Sequence, residues 1–172
     1  MMDYYILLGL DRKKYKIMQI KENNGAIEIE LKSIKGKVRC PICNKFTSSV
    51  HDKLKPIKSK YLDSCGQKTF LIINKRRFHC YNCKKIFTES MGLNRKNGNV
   101  SNKVMIQIRK DLLNYNLTVD NIATKNHVSQ YVVRQELIDA TKMLPDFQKN
   151  LPRVISFDEF KADTSNGKYA FI

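Results

Sequence analysis

The sequence predicts an α+β protein in which a small antiparallel β domain comes first and a helical domain follows. Three observations lead to this prediction. Two Cys-x-x-Cys motifs, separated by 36 residues, frame a segment rich in lysine and arginine. Apolar and polar residues alternate in the first third of the chain, whereas apolar residues recur at helical spacing after residue 100.

The charge of the chain is strongly positive and unevenly distributed. Lysine and arginine outnumber aspartate and glutamate by 32 to 16, which gives a formal net charge of +16. Residues 1–100 hold 22 basic against 8 acidic side chains, while residues 101–172 hold 10 against 8. This basic field favours a polyanionic partner, with nucleic acid as the first candidate. A solvated lysine-rich surface is the competing interpretation.

The first predicted segment, residues 1–34, contains a short helix and a β-hairpin. Its opening apolar run, residues 4–10, is too short to span a bilayer and lacks the basic start of a signal peptide. We therefore expect a cytoplasmic protein without a membrane partner, and a helix that ends at Gly9. Residues 16–20 and 26–31 alternate as strands do, and the Asn-Gly pair between them is a hairpin turn signal.

The second predicted segment, residues 35–89, is a zinc ribbon. Each Cys-x-x-Cys turn offers two thiolates, and two such turns complete a closed tetrahedral site with a structural role. A redox pair would need one motif only, and disulfides would need an oxidising compartment that nothing in the sequence suggests. The predicted zinc ligands are Cys40, Cys43, Cys80 and Cys83.

Three other residues near these motifs could bind metal in principle. Cys65 lies beside a glycine in a predicted turn, has no partner at a useful spacing and is expected to be a free thiol. His51 stays open as an alternative ligand. His79 adjoins Cys80, and two adjacent side chains rarely reach one ion.

A strand at residues 69–73 is expected to be the central strand that carries one half of the metal site. It leads directly into the second cysteine motif, and zinc would stabilise a ribbon that has little apolar core of its own. The basic residues after this strand are candidate contacts to DNA phosphates. An exposed basic edge that blocks aggregation is the competing interpretation. These candidates are Lys75, Arg76 and Arg77.

Residues 90–100, rich in Asn and Gly, are predicted to be a linker to a helical domain at residues 101–150. Ser101, Thr118 and Ser129 are the expected N-caps of three helices, the last of which should end at Pro145.

The second and third of these helices have the spacing of a helix-turn-helix. Small Ala123 lets the helices cross closely, Val128 fills the space beneath the turn, and Val133 faces the core. His127 occupies the turn position where glycine is common. Arg and Gln side chains can make paired hydrogen bonds to base edges. The candidate base contacts are Gln130, Tyr131, Arg134 and Gln135. A helical triplet that serves packing alone is the competing interpretation.

The final segment, residues 151–172, is predicted to contain two strands. The first, residues 153–160, runs into Asp158 and Glu159, and a loop at residues 161–167 precedes a returning strand. The simplest interpretation is that the two carboxylates end a strand in a loop.

The order of these parts along the chain is informative in itself. A Cys-Pro-x-Cys motif precedes His51-Asp52, and a Lys-Arg-Arg-Phe-x-Cys-x-x-Cys motif precedes Phe-Thr-Glu at residues 87–89. The helix-turn-helix pattern and the Ser-Phe-Asp-Glu-Phe strand at residues 156–160 follow. Together they resemble the N-terminal part of the ISL-three family of insertion-sequence transposases, over essentially the whole chain.

The resemblance implies a zinc ribbon and helix-turn-helix that recognise double-stranded DNA at the terminal repeats of an element. It also implies the start of a ribonuclease-H-like DDE domain, which holds Mg²⁺ between carboxylates. By position, Asp158 would be the first catalytic carboxylate, with Glu159 beside it. The sequence stops after what should be the second strand of that domain, so catalysis by this chain alone is not expected.

The expected function is therefore that of a DNA-binding N-terminal fragment of a transposase, acting as a homodimer or with a full-length transposase. Three alternatives stay open. The chain could be a stand-alone regulator or inhibitor of a full-length transposase. It could be a strand-transfer enzyme completed by a second chain. The basic ribbon could instead bind RNA or a protein.

Overall fold

The computed structural model describes residues 4–95 and 98–142, together with the backbone of residues 159–164 and 167–171. The chain divides into two units, Met1–Ala140 and Thr141–Ile172. The elements, in chain order, are α1 (Tyr4–Leu7), β1 (Tyr15–Asn23), β2 (Ala26–Ser33), β3 (Val38–Arg39), β4 (Phe46–Thr47), β5 (Val50–Lys53), β6 (Ile57–Lys60), β7 (Lys68–Asn74), β8 (Arg76–His79), β9 (Ile86–Thr88), α2 (Asn102–Leu112), α3 (Val119–Asn126), α4 (Gln130–Thr141), β10 (Glu159–Thr164) and β11 (Gly167–Phe171).

A four-stranded sheet with the order β1-β2-β7-β6 forms the body of the first unit. Strands β1 and β2 are the predicted antiparallel hairpin, and its turn residues Asn24 and Gly25 both have positive φ, at 51° and 69°. This confirms the hairpin, since a tight turn of this kind requires left-handed backbone at both positions. Helix α1 precedes it and is followed by Gly9, whose φ is 55°.

The pairing of β7 corrects two predictions about the ribbon. Strand β7 pairs with β2 in parallel and with β6 antiparallel, so it belongs to the four-stranded sheet and not to the metal site. The hairpin of residues 1–34 therefore shares one sheet with strands from residues 35–89. The physical reason is burial, because Leu31, Leu71 and Ile73 present one continuous apolar face and are wholly buried.

The predicted linker at residues 90–100 is also corrected, because its described part packs against this sheet. Met91 is buried in the same core as Leu71, and the Tyr15 hydroxyl donates a hydrogen bond to the Met91 carbonyl. Lys60 N–H donates to the Asn99 carbonyl at 2.8 Å. An Asn- and Gly-rich composition indicates irregular backbone, but it does not show whether that backbone is packed.

The metal-binding part consists of the short hairpin β3-β4 and the three-stranded sheet β5-β8-β9. Only Lys75 separates β7 from β8, so one almost continuous strand runs from the four-stranded sheet into the ribbon. Phe78 on β8 is wholly buried. The strand that carries half of the metal site is therefore β8.

The three helices α2, α3 and α4 enclose a second core. The predicted N-caps of the first two are confirmed, since Ser101 accepts from Val104 N–H and Thr118 accepts from Asn121 N–H. Helix α4 begins after Ser129 as expected, and Pro145 lies outside the described residues. No helix in the described ranges is long and apolar enough to cross a membrane. The buried side chains of this core are Val104, Met105, Ile108, Ile122, Ala123 and Val133.

In the second unit, β10 and β11 form an antiparallel hairpin in which Glu159 pairs with Phe171. The predicted loop at residues 161–167 is partly wrong, because residues 161–164 continue the strand. Asp158 lies outside the described residues, so its catalytic role stays a prediction.

Candidate zinc centre and nucleic-acid interface

The four cysteine sulfurs converge on one point. All four Sγ atoms lie within 4.8 Å of one another. Cys40 and Cys83 are 3.6 Å apart, and Cys43 and Cys80 are 3.5 Å apart. Sulfurs bound to one tetrahedral zinc ion at about 2.3 Å would be separated by about 3.8 Å, so the donor set fits zinc closely.

The two cysteine motifs fold into the same turn twice. In the first, Cys40 N–H donates to the Lys45 carbonyl at 2.9 Å, and in the second, Cys80 N–H donates to the Lys85 carbonyl at 2.9 Å. Asn44 and Lys84 follow the second cysteine of each motif with φ values of 58° and 56°. The left-handed residue reverses the chain, so both sulfurs of a motif face the same side.

The four cysteine thiols are close enough to shift one another's pKa values. The Lys45 backbone N–H acts on the Cys43 sulfur and lowers its pKa to about 6. The Lys85 backbone N–H acts in the same direction on Cys83, but burial and hydrogen bonds with the other three thiols raise its pKa to about 12. Four sulfurs at this separation can all be thiolates only when a cation compensates their charge.

No other described residue joins this cluster. His51 lies with its Nδ1 3.6 Å from the Asp52 carboxylate, and the His79 ring meets Tyr81 edge-on at 5.1 Å. Cys65 is exposed in a turn with a φ of 52°, and it is a free thiol as predicted.

The predicted phosphate contacts on β8 are mostly engaged with carboxylates. Arg76 makes a bidentate pair with buried Glu89, with Nε to Oε1 at 2.9 Å and Nη2 to Oε2 at 2.8 Å. Arg77 pairs with Asp52 in the same way, with Nε to Oδ1 at 2.7 Å. Lys75 is half-buried, and none of the described residues pairs with its side chain. The two arginine side chains therefore link β8 to Glu89, the residue after β9, and to Asp52 on β5.

Three residues of the predicted helix-turn-helix pattern lie in or beside the second core, while the motif itself stays a prediction. Ala123 and Val133 are buried in the same core cluster, and Val128 N–H donates to the Ala123 carbonyl at 3.0 Å. His127 has a φ of 51°, the conformation for which glycine is favoured at the end of a helix. Its Nδ1 lies 2.7 Å from the Asp63 carboxylate, which connects the turn to the β domain.

The candidate base contacts occupy the start of α4. Tyr131 is 69% exposed, Gln130 and Arg134 are exposed, and Gln135 is half-buried. Gln130 Nε2 donates to Asp120 Oδ1 at 2.8 Å, and Arg134 Nη2 donates to Gln130 Oε1 at 3.4 Å. The structure therefore brings these polar groups together at one exposed end of the helix.

Sequence reasoning missed two buried carboxylates that fix the helices. Glu136 on α4 is wholly buried between the guanidinium groups of Arg95 and Arg109. Asp111 on α2 accepts from Lys125 at 2.7 Å and from Asn126 at 2.8 Å. The signal in the sequence was weak: Glu136 stands three residues after Val133, on the face that the helical pattern assigns to the core.

Replacement of Asp111 by asparagine should destabilise the helical core at neutral pH. Burial alone raises the pKa of Asp111, but hydrogen bonds from Lys125, Asn126 and Gln107 together hold it below its ordinary value. A lowered pKa means that the carboxylate stabilises the fold above its ordinary pKa of about 4 and that this contribution is lost as the pH falls below it. We expect about 1–3 kcal/mol less unfolding free energy at pH 7.

Urea unfolding at pH 7 and at pH 3 measures this effect. The difference between the wild type and Asp111→Asn should shrink at pH 3, where the wild-type carboxylate begins to protonate. An equal difference at both pH values would contradict the assignment.

Comparison with known families supports the metal site. Residues 36–83 match the model of the zinc-finger of transposases IS204, IS1001, IS1096 and IS1165. No curated protein and no solved structure matches the chain. The matched segment contains both cysteine motifs and therefore all four converging sulfurs. This segment is similar to the zinc ribbon of those transposases, and Cys40, Cys43, Cys80 and Cys83 form a structural zinc site.

Proposed function

We propose that this chain recognises the DNA ends of an insertion sequence as the N-terminal part of a transposase. The observation that carries the proposal is the match of residues 36–83 to a transposase zinc ribbon, directly ahead of three packed helices. The positive charge of residues 1–100 supports it, since phosphate contacts dominate the affinity of proteins for DNA.

Helix α4 is the proposed base-reading element of a helix-turn-helix. Its first turns expose Tyr131 and Arg134, and the buried Glu136 fixes the opposite face of the helix. Arg134 could make two hydrogen bonds to a guanine edge in the major groove, and Gln130 could do the same with adenine. Gln130 and Arg134 already contact one another, which orients both side chains before binding.

Phosphate contact is proposed for the basic residues of β8 and the residue before it. Lys75 is the best placed, because no described carboxylate competes for it. The Arg77–Asp52 pair is 41% and 37% exposed, so a phosphate could replace Asp52 at little cost. Arg76 is bound to buried Glu89, and its proposed contribution is to hold β8 in position.

The proposal is tested by selection of bound sequences from a randomised duplex library, followed by affinity measurement on the selected duplex. Arg134→Ala should weaken binding about 10- to 100-fold and relax the preference at one base position. Lys75→Ala should weaken binding to all duplexes alike and lower the salt slope by about one.

Lys16→Ala is the matched control. Lys16 is an exposed lysine on β1, an edge strand that β2 separates from β7. It should leave the affinity for the selected duplex unchanged. The proposal fails if the library yields no enriched sequence, or if Arg134→Ala binds the selected duplex as tightly as the wild type.

A further inference from the structure

We propose a second nucleic-acid site on the ribbon, a groove that binds an unpaired DNA strand by stacking bases on two exposed aromatic rings. The groove has a volume of about 450 Å³ and lies between the β3-β4 hairpin and the second cysteine motif. Its ligand class rests on the proposed function, because DNA is the polyanion assumed there. Its lining includes Lys37, Lys45, Phe46, Ser48, Tyr81 and Asn82.

The charge around the groove suits a phosphodiester chain. The two segments that build the ribbon's metal-binding end, residues 34–51 and 75–88, contain four and five basic residues and no aspartate or glutamate. Asp52 and Glu89, at the ends of these segments, are engaged by Arg77 and Arg76. Seven of these nine cations are not paired with Asp52 or Glu89, and they outnumber the net charge of −2 that zinc with four thiolates carries, so the surface stays positive.

Two aromatic rings stand in this basic surface with most of their area in solvent. Phe46 is 64% exposed and Tyr81 is 73% exposed. The Arg39 guanidinium lies 5.1 Å from the centre of the Phe46 ring, and His79 meets Tyr81 edge-on. These neighbours hold the rings in position while leaving area for a ligand.

Unpaired bases are the occupants that exposed rings of this kind favour. A single exposed aromatic is ordinary on a protein surface, but two rings interleaved with lysines in one groove form the combination that binds single strands. In duplex DNA the base faces are covered by their neighbours, so only a melted or single-stranded segment can stack on protein rings. Ser48 and Asn82 add hydrogen-bonding groups for base edges or phosphates.

The zinc site fixes the two walls of the groove relative to one another. Lys45 and Phe46 lie two and three residues after Cys43, the last residue of the first cysteine motif, and Tyr81 and Asn82 are the middle residues of the second. Because the same ion binds both motifs, the rings are arranged before the ligand arrives. A preorganised site loses less conformational entropy on binding.

Fluorescence anisotropy with labelled dT12 tests the site. Phe46→Ala and Tyr81→Ala should each weaken dT12 binding about 5- to 160-fold, the range that corresponds to loss of one stacked base. Phe46→Leu keeps an apolar side chain of similar size but loses the aromatic face, so it should weaken binding nearly as much. Tyr115→Ala is the matched control, because Tyr115 is a fully exposed ring that belongs to neither proposed site, and it should leave dT12 binding unchanged.

All variants are to be compared at equal zinc content, which shows that the ribbon is intact. Wild-type binding of dT12 by Phe46→Ala and Tyr81→Ala would overturn the proposal. So would tighter binding of rU12 than of dT12, which would assign the groove to RNA. If no duplex is enriched but dT12 binding depends on Phe46, the groove stands and the duplex-recognition proposal fails.

Discussion

Replacement of Cys40 by serine is expected to abolish zinc binding and to unfold the ribbon while the four-stranded sheet persists. Cys40 is wholly buried and contributes one of four sulfurs, and three remaining thiols hold zinc far less tightly. Apparent zinc-binding free energies in small fingers are about 10–16 kcal/mol, and most of that energy serves folding. The loss should therefore exceed that of any surface substitution.

The persistence of the sheet follows from the position of its core. Ile29, Leu31, Leu71 and Ile73 lie on one apolar face of β2 and β7, away from the cysteine motifs. Amide hydrogen exchange should thus remain slow in β2 and β7 but become fast in β8 and β9. Lys75 marks the expected boundary between protected and unprotected amides.

Zinc content and hydrogen exchange of purified protein measure the outcome. Cys65→Ser is the matched control, because Cys65 is an exposed free thiol outside the cluster. It should retain one zinc per chain and wild-type exchange. Stoichiometric zinc in Cys40→Ser, or slow exchange in β8 and β9 without zinc, would contradict the assigned ligand set.

The zinc ligands could be predicted because their chemistry is local in the sequence. A Cys-x-x-Cys turn places two sulfurs side by side whatever the rest of the chain does, and only the meeting of the two turns depends on the fold. The β1-β2 hairpin was equally local, since the turn at Asn24 and Gly25 and the alternation beside it determine the pairing.

The parallel pairing of β2 with β7 could not be predicted in the same way. Alternation shows which face of a strand is apolar, but it does not specify the neighbouring strand or its direction. These strands are separated by the whole first cysteine motif. The pairing depends on a shared buried face that only the assembled fold reveals.

The basic residues in the sequence were the least reliable guide to which side chains are free to bind DNA in the structure. The run Lys75-Arg76-Arg77 predicted a positive surface, but the sequence does not show that Arg76 and Arg77 find carboxylates 13 and 25 residues away. The exposure of the Phe46 and Tyr81 rings could not be predicted from the sequence either, because it depends on which face of the ribbon the rest of the fold covers.

Glu136→Ala is expected to have the largest effect in the helical part and to loosen α4 from the remaining helices. Glu136 has no exposed area, and its two oxygens accept from Arg95 and Arg109. Its removal would break the charged hydrogen bonds from both arginines, which are 36% and 43% exposed, and loss of such bonds costs about 1.5–3 kcal/mol. Because α4 carries the proposed base contacts, affinity for the selected duplex should fall together with stability.

Asp139, an exposed carboxylate that shares Arg95 with Glu136, supplies the control for this prediction. Asp139 also pairs with Arg95, at 2.9 Å, but its side chain is 40% exposed, so Asp139→Ala should cost no more than about 1 kcal/mol. Urea unfolding and duplex affinity, measured on both variants at equal zinc content, separate the two positions. Equal effects of the two substitutions would mean that burial of Glu136 does not determine how α4 is held.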